Sequence, residues 1–404
     1  MKYKEDNKAF KCEWLNDVKY IDENQWVSIL GEKHIKGIDF FKSIQQSNIP
    51  NIKFHYLIIS DESKIIAIVP CFNFKLDLIN LLDKSILSNV FLKIRCRFPK
   101  FLKIRTFVVG SYASSCEYFI GVGDVSGSCE TEIFSLIKKQ LKLKARKLRA
   151  KLTLIKEIRE AQINKVKATL GKDFCFCKFF PNTFVPTFAE CRPYPSALKT
   201  SHQRRYRKQR EKYNQSYTWQ IIRDITPYKD IFEKMYLNVL HKAKNKFEVL
   251  NGNFFVNLNK NIPDHTFFII SQDKHGSIRN MALIIEEEDR LIPLYLGMAD
   301  GNIDSKILYI NMLFNVIEVS EQMNKELVEF GQTSYYPKIM SGAFVEQIYY
   351  GFSSYNKWIL KLLKGITLLD LFKIELLSHV YKKNIGNEII LKIEEEYGFK
   401  ICNL

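Results

Sequence analysis

The sequence predicts an α/β protein of the α+β, mixed-sheet kind, built as two tandem units followed by a helical C-terminal tail. Three observations carry this prediction. A stretch of the first half recurs in the second at an offset of about 213 residues. Each copy reads helix, hairpin, strand, helix, strand, an order that favours a mixed sheet over a purely parallel one. No Gly-x-Gly-x-x-Gly joins a strand to a helix, which argues against a doubly wound dinucleotide fold.

The repeat is clearest between "FFKSIQQSNIPNIKFHYLIISDESKIIAIVP", starting at Phe40, and "FFVNLNKNIPDHTFFIISQDKHGSIRNMALII", starting at Phe254. Both open a helical turn on an FF pair, reach Asn-Ile-Pro after a similar interval, and continue as two apolar strands across a charged turn. "KIRTFVVGSYA" and "RLIPLYLGMAD" then read as strands ending in glycine. Long amphipathic helices follow, from about 131 in the first half and over 305–324 in the second. "FCFCKFF" and "ELVEFG" are expected to close the two units as equivalent strands. The predicted units are 1–190, with a long basic helix, and 191–355, the expected catalytic one; 356–404 is a helical extension.

Composition agrees with a folded protein. The chain has 404 residues, 46% hydrophobic, with only 17 glycines and 11 prolines, so disorder is not its main feature. The N-terminus lacks the apolar core of a secretory signal. The most hydrophobic late stretch, "WILKLLKGITLLDLF", is interrupted by Lys361, Lys364 and Asp370. A soluble, cytoplasmic protein is expected. The nine cysteines include no Cys-x-x-Cys; Cys175 and Cys177 fall on one face of a strand, and no metal site is expected.

The net charge of +17 is concentrated. Residues 138–172 hold 13 Lys/Arg against 2 Glu, and residues 199–212 hold 7 Lys/Arg against 1 Glu, so these two segments account for the whole excess. Such localisation points to a polyanionic partner, with tRNA a possible one through both segments. A solvated, lysine-rich helix face is the alternative. No base-stacking aromatics interrupt 138–172, so sequence-specific RNA readout is not expected.

The basic "YPSALKTSHQRRYRKQREKY" opening the second unit, together with "PLYLGMAD...ILYINMLFNVIEVSEQMNKELVEFGQTSYYPKIMSGA" closing it, resembles the FemAB-like branch of the GNAT acyltransferases. The match covers the second half well and the first only in outline. The resemblance implies two GNAT-like N-acyltransferase units and transfer of an acyl or aminoacyl group to an amine of a small molecule or peptide. The co-substrate would be acyl-CoA or aminoacyl-tRNA, with no tightly bound cofactor. A tRNA-dependent aminoacyltransferase is the narrower form of this reading. A non-catalytic RNA-binding or scaffold protein is the reading of another class.

Such a transfer needs a grip on donor phosphates, a stabiliser for the oxyanion, a base for the amine and an acid for the leaving group. The resemblance places the phosphate grip in "GMADGNIDSKILY", with Ser305 and Lys306 where a helix begins and its backbone N–H groups are free. This loop departs from the superfamily's commoner Arg/Gln-x-x-Gly-x-Gly/Ala. Asp300 and Glu329 are candidates to take the amine's proton, although a turn-capping Asp and a salt-bridged Glu explain each singly. Tyr335 and Tyr336 follow the closing strand, where the family commonly places the phenol that protonates the leaving group; packing under the loop is the alternative. Lys338 is expected to hold a phosphate or carboxylate or to neutralise the tetrahedral intermediate. Arg204, Lys208 and Lys212 recur at i, i+4, i+8 with Arg207 beside them, one helical face able to grip phosphates.

Overall fold

The computed structural model describes residues 2–5, 8–62, 64–77, 79, 86–113, 116–243, 248–301, 304–356, 358–361, 380–397 and 401. Much of the expected helical extension, residues 362–379, lies outside them, as do Asn302 and Ile303 of the expected phosphate loop.

The repeat read from sequence is a structural one. In the first unit β2 (Lys8–Leu15) and α1 (Glu23–Leu30) precede α2 (Ile38–Gln46), the hairpin β3 (Lys53–Asp61) and β4 (Lys64–Asp77), and β5 (Lys103–Val109). In the second, β9 (Tyr217–Ile222) and α8 (Lys229–Lys242) precede α9 (Gly252–Asn261), the hairpin β10 (Thr266–Asp273) and β11 (Ile278–Glu286), and β12 (Arg290–Met298). The two FF pairs meet where α2 packs on α9, with Phe40 and Phe254 edge to face at 6.3 Å. Polar ties flank them: Asn261 Nδ2 donates to Ser43 Oγ at 3.0 Å, and Asn251 Nδ2 to the Ser47 carbonyl at 2.9 Å.

The second half of each unit crosses over. From β5 the chain runs through α4 (Gly127–Lys147) to β7 (Leu152–Arg159), α5 (Glu160–Leu170) and β8 (Cys175–Pro186). From β12 it runs through α10 (Ser305–Gln322) to β13 (Leu327–Glu329), α11 (Tyr335–Ile339) and β14 (Phe344–Ser353). With β1 (Lys2–Glu5) and β6 (Gly121–Val122), which pairs β4 at the side, the described strands form one 14-stranded sheet. Its order is β1-β2-β3-β4-β5-β7-β14-β8-β13-β12-β11-β10-β9. Each unit's parallel pair, β5 with β7 and β12 with β13, is the product of a helical crossover. Each unit's last strand then leaves home: β14 pairs with β7, and β8 pairs with β13 as well as with β14.

Two sequence expectations are corrected here. Residues 138–172 are not one long basic helix, because β7 interrupts them and all eight of its residues are buried. Its charged members Lys156, Glu157 and Arg159 are taken up inside the fold, while Leu152, Leu154, Ile155 and Ile158 supply strand-forming apolar bulk. "FCFCKFF", at the start of β8, is therefore not the counterpart of "ELVEF"; β7 is, and the counterpart of the Tyr335–Ile339 helix is α5. Cys175 and Cys177 do lie on one strand, as the spacing predicted.

Candidate functional site

β12 and β13 are hydrogen-bonded in parallel at only two positions, Arg290 with Leu327 and Leu291 with Val328. Beyond these, β12 slips register against β11 at Leu294, next to Pro293, a residue with no N–H to offer a neighbouring strand. β13 ends at Glu329, and the chain turns through positive φ at Gly331, Thr333 and Ser334. The strands part, and a cleft of about 320 Å³ opens between them. It is walled by Leu294, Tyr295 and Leu296 of β12, by Tyr309, Met312 and Leu313 of α10, and by the turn 330–334. The first unit contributes Cys116, Phe179 and Phe180.

Lys338, on α11, also lines this cleft and is buried. Its Nζ donates to the carbonyls of Phe330, Gly331 and Gln332 at 2.8, 3.1 and 2.8 Å, which pins the turn that ends β13. All three N–H bonds are thus spent, and what Lys338 offers a substrate is charge. Burial pushes that ammonium down to about 7, so it titrates near neutrality.

Glu329 lines the cleft at the point where the two halves of the chain interlock. Its Oε1 accepts from Arg159 Nη2 and from Asn182 Nδ2, both at 2.7 Å, and its Oε2 accepts from Arg290 Nη1 at 3.0 Å. Burial alone would raise its pKa, but Arg159 and Arg290 outweigh that and leave it below the usual carboxylate range. A carboxylate held that way is a poor proton acceptor, so the expected base at Glu329 is instead an ionic anchor. Arg159 also donates through Nη1 to Glu346 at 2.6 Å and through Nη2 to Glu117 at 3.3 Å. Burial pushes Glu346 up to about 7 despite that guanidinium.

The other sequence candidates are spread around this centre. The Tyr335 phenol donates to the Pro181 carbonyl at 3.0 Å, and burial raises its pKa, so it is committed to packing β8. Tyr336 is 60% exposed, and neither it nor Asp300, also exposed, lines the cleft. Ser305 and Lys306 stand exposed on the first turn of α10. Asp304 makes no side-chain cap there and instead accepts from the Tyr217 hydroxyl at 2.7 Å. Arg204 and Lys208, with Arg207 and Lys212, are all exposed on α7 (Thr200–Asn214). The opposite face of α7 docks on α10, where Arg210 pairs with Glu318 and Tyr206 tilts against Phe314 at 4.7 Å.

The corresponding gap in the first unit is filled from within. Beyond the last β5–β7 pair, Val109 with Ile155, the Lys156 side chain crosses to the end of β5 and its Nζ donates to the Ser111 carbonyl at 3.0 Å. Its Cγ lies 2.8 Å from where a Cβ on Gly110 would stand. That approach, with a φ of +129°, requires glycine at 110.

No family model matches the chain, and no curated protein matches it by sequence. Solved structures do match by shape. The crystal structure of FemX aligns over 87% of this chain and 100% of its own, with a TM-score of 0.51 at 8% identity. The chain shares the fold of FemX. The C-terminal domain (DUF2156) of a putative lysylphosphatidylglycerol synthetase from Agrobacterium fabrum aligns over 91% of this chain and 100% of its own, with a TM-score of 0.50 at 11% identity. Identities this low establish the fold alone. The parted strands belong to the second unit, and the first unit supplies the far wall of the cleft. Among the described residues no helix is long and apolar enough to cross a membrane.

Sequence reasoning missed Tyr309, Lys156, Arg159 and Arg290. Tyr309 was within reach, because it sits on the first turns of a helix already assigned to the donor loop. The buried charges were not, since each looks like a surface residue until its strand is placed.

Proposed function

We propose that the chain transfers an acyl or aminoacyl group to an amine in the cleft between β12 and β13. The observation that carries this reading is a single one: two parallel strands part around an apolar cleft whose wall holds a buried ammonium, Lys338, titrating near 7. The amine nitrogen attacks the carbonyl carbon of the donor thioester or ester, and the carbonyl electron pair moves onto oxygen. Lys338 in its charged form offsets that negative charge through space, in a site with little water to screen it. Collapse expels thiolate or alkoxide. Tyr309, whose phenol burial pushes up to about 12, remains protonated and faces the cleft, so it is the acid that returns a proton. The amine's own proton, released as the C–N bond forms, is taken up by the Tyr309 phenolate through water and restores the acid.

A polyanionic donor such as aminoacyl-tRNA is favoured by the outward cations of α7, Arg204, Arg207, Lys208 and Lys212, with Ser305 and Lys306 at the start of α10. The test sets acetyl-CoA and aminoacyl-tRNA side by side, with binding and product mass as readouts. Transfer from either donor that falls in Tyr309→Phe and Lys338→Met supports the reading. Binding of tRNA with no transfer to any amine would leave an RNA-binding scaffold.

A further inference from the structure

A second pocket, of about 270 Å³, lies where α4 and β7 of the first unit meet the end of β14, and no residue lines both it and the cleft. Thr153 of β7 pairs with Ser353 of β14 across the ladder, so their side chains leave one face of the sheet together, and both line the pocket. Beside them the Ser354 hydroxyl donates to the Lys151 carbonyl at 2.5 Å and ties the entry of β7 to the exit of β14.

The charge around this pocket is lopsided. Lys138, Lys142 and Arg146 recur every four residues along one face of α4, a spacing at which like charges destabilise a helix. Asp173 answers the first two, with Oδ1 at 2.8 Å from Lys142 Nζ and Oδ2 at 3.6 Å from Lys138 Nζ. Arg146 and Lys151, which line the pocket beside Lys142 and Asp173, have no carboxylate partner among the described residues. The Arg146 guanidinium lies over the Tyr355 ring at 5.5 Å, and the Tyr355 hydroxyl donates to the Lys142 carbonyl at 3.2 Å. The arginine head is thus positioned by an aromatic ring, and one phenol oxygen cannot use up its five N–H donors.

We propose that this pocket is a binding site for a small phosphate monoester. The phosphate meets the Arg146 fork, the Lys151 ammonium and the hydroxyls of Thr153 and Ser353, in a pocket lined by three cations against one carboxylate. Leu141 and Phe174 give its carbon skeleton apolar surface. The volume is at the small end for a ligand pocket, which suits a sugar phosphate better than a nucleotide or coenzyme. A polynucleotide suits it less, because a phosphodiester carries a single charge and is bulky on both sides, whereas a monoester carries close to two and ends in the pocket. Bound there, the ester bridges α4 and β7 to β14, so it fastens the two halves of the chain together. The inference stands apart from the transferase reading, since it uses no part of the cleft.

Calorimetry on the full chain tests it with glycerol 3-phosphate, inorganic phosphate and glycerol. Glycerol 3-phosphate is expected to bind with a Kd of about 1 mM or tighter and to raise the melting temperature, and glycerol to do neither. Arg146 and Lys151 are exposed, so Arg146→Gln with Lys151→Gln should leave the melting temperature of the unliganded chain unchanged while weakening the phosphate ester by about tenfold or more. Arg146→Lys, which keeps the charge and loses the fork, should weaken it by about threefold. Leu294→Trp, which fills the cleft, should leave it as it is. Inorganic phosphate binding as tightly as the ester makes free phosphate the ligand and supports the site. Binding of neither anion, equal binding of glycerol, or an affinity that survives the double change overturns the proposal. So does tRNA binding that the double change abolishes while neither small anion binds, which assigns these cations to a nucleic-acid face.

Discussion

Arg159 of the first unit and Glu329 of the second meet at 2.7 Å inside the sheet, each on a strand with one neighbour from the other half of the chain. Arg159 also serves Glu346 and Glu117, so one guanidinium touches three buried carboxylates, of which Glu329 is shared with Arg290 and Glu117 with Lys33. Arg159→Met keeps the bulk and removes the cation common to all three, and is expected to cost about 3–5 kcal/mol in urea denaturation. Adding Glu346→Gln to it recovers part of the loss, and strict additivity of the two changes would argue against coupling.

Glu346 gives stability a pH dependence. Burial lifts its folded value to about 7, whereas the unfolded carboxyl titrates at its ordinary 4.5. Between those values the folded state holds the extra proton, so its contribution is full below about 4.5 and is lost as pH rises through about 7. Urea midpoints across pH 4.5–8 should therefore decline less steeply in Glu346→Gln than in the parent.

Lys338 lies the other way. Its ammonium loses its proton at about 7 in the fold, and the charged form is the one proposed to act. Turnover is expected to fall as pH rises through about 7. Lys338→Met should lose that limb and about tenfold to a hundredfold in kcat. Lys338→Arg, which stays charged, should move the limb to higher pH; a limb that stays at 7 would assign it to another group.

The first unit's gap is closed by Lys156, so one donor should bind per chain. Titration calorimetry is expected to give a stoichiometry near one. Leu294→Trp, which projects bulk into the second-unit cleft, should abolish that binding without exposing a second site.

The outward face of α7 should act through charge alone. Replacing Arg204 and Lys208 together by Ala is expected to lower the slope of log affinity for tRNA against log salt by about one to two, at unchanged melting temperature. An unchanged slope would place the nucleic-acid track elsewhere.

Much of the fold was legible because the repeat writes it twice. The FF helices, the two hairpins and the glycine-ended strands rest on local periodicity, and local periodicity is in the sequence. β7 was misread because Lys156, Glu157 and Arg159 imitate the exposed positions of a basic helix, and their burial depends on partners far along the chain: Glu329 and Glu346 for Arg159, the end of β5 for Lys156. Lys338 was singled out from its place after the closing strand, but its three carbonyl partners follow from the tightness of a turn that no spacing reveals.

The exchange of closing strands bears on how the chain is made. β7 and β8 are both synthesised by residue 186, yet the strand that lies between them in the sheet begins at Phe344. While the ribosome works through the intervening residues, the emerging first half carries a slot with two unsatisfied strand edges, one of them bearing Arg159 without its second-unit carboxylates. Closure of the sheet must therefore wait until β14 has been made. A nascent chain stalled before Phe344 should recruit chaperones that the finished protein does not need.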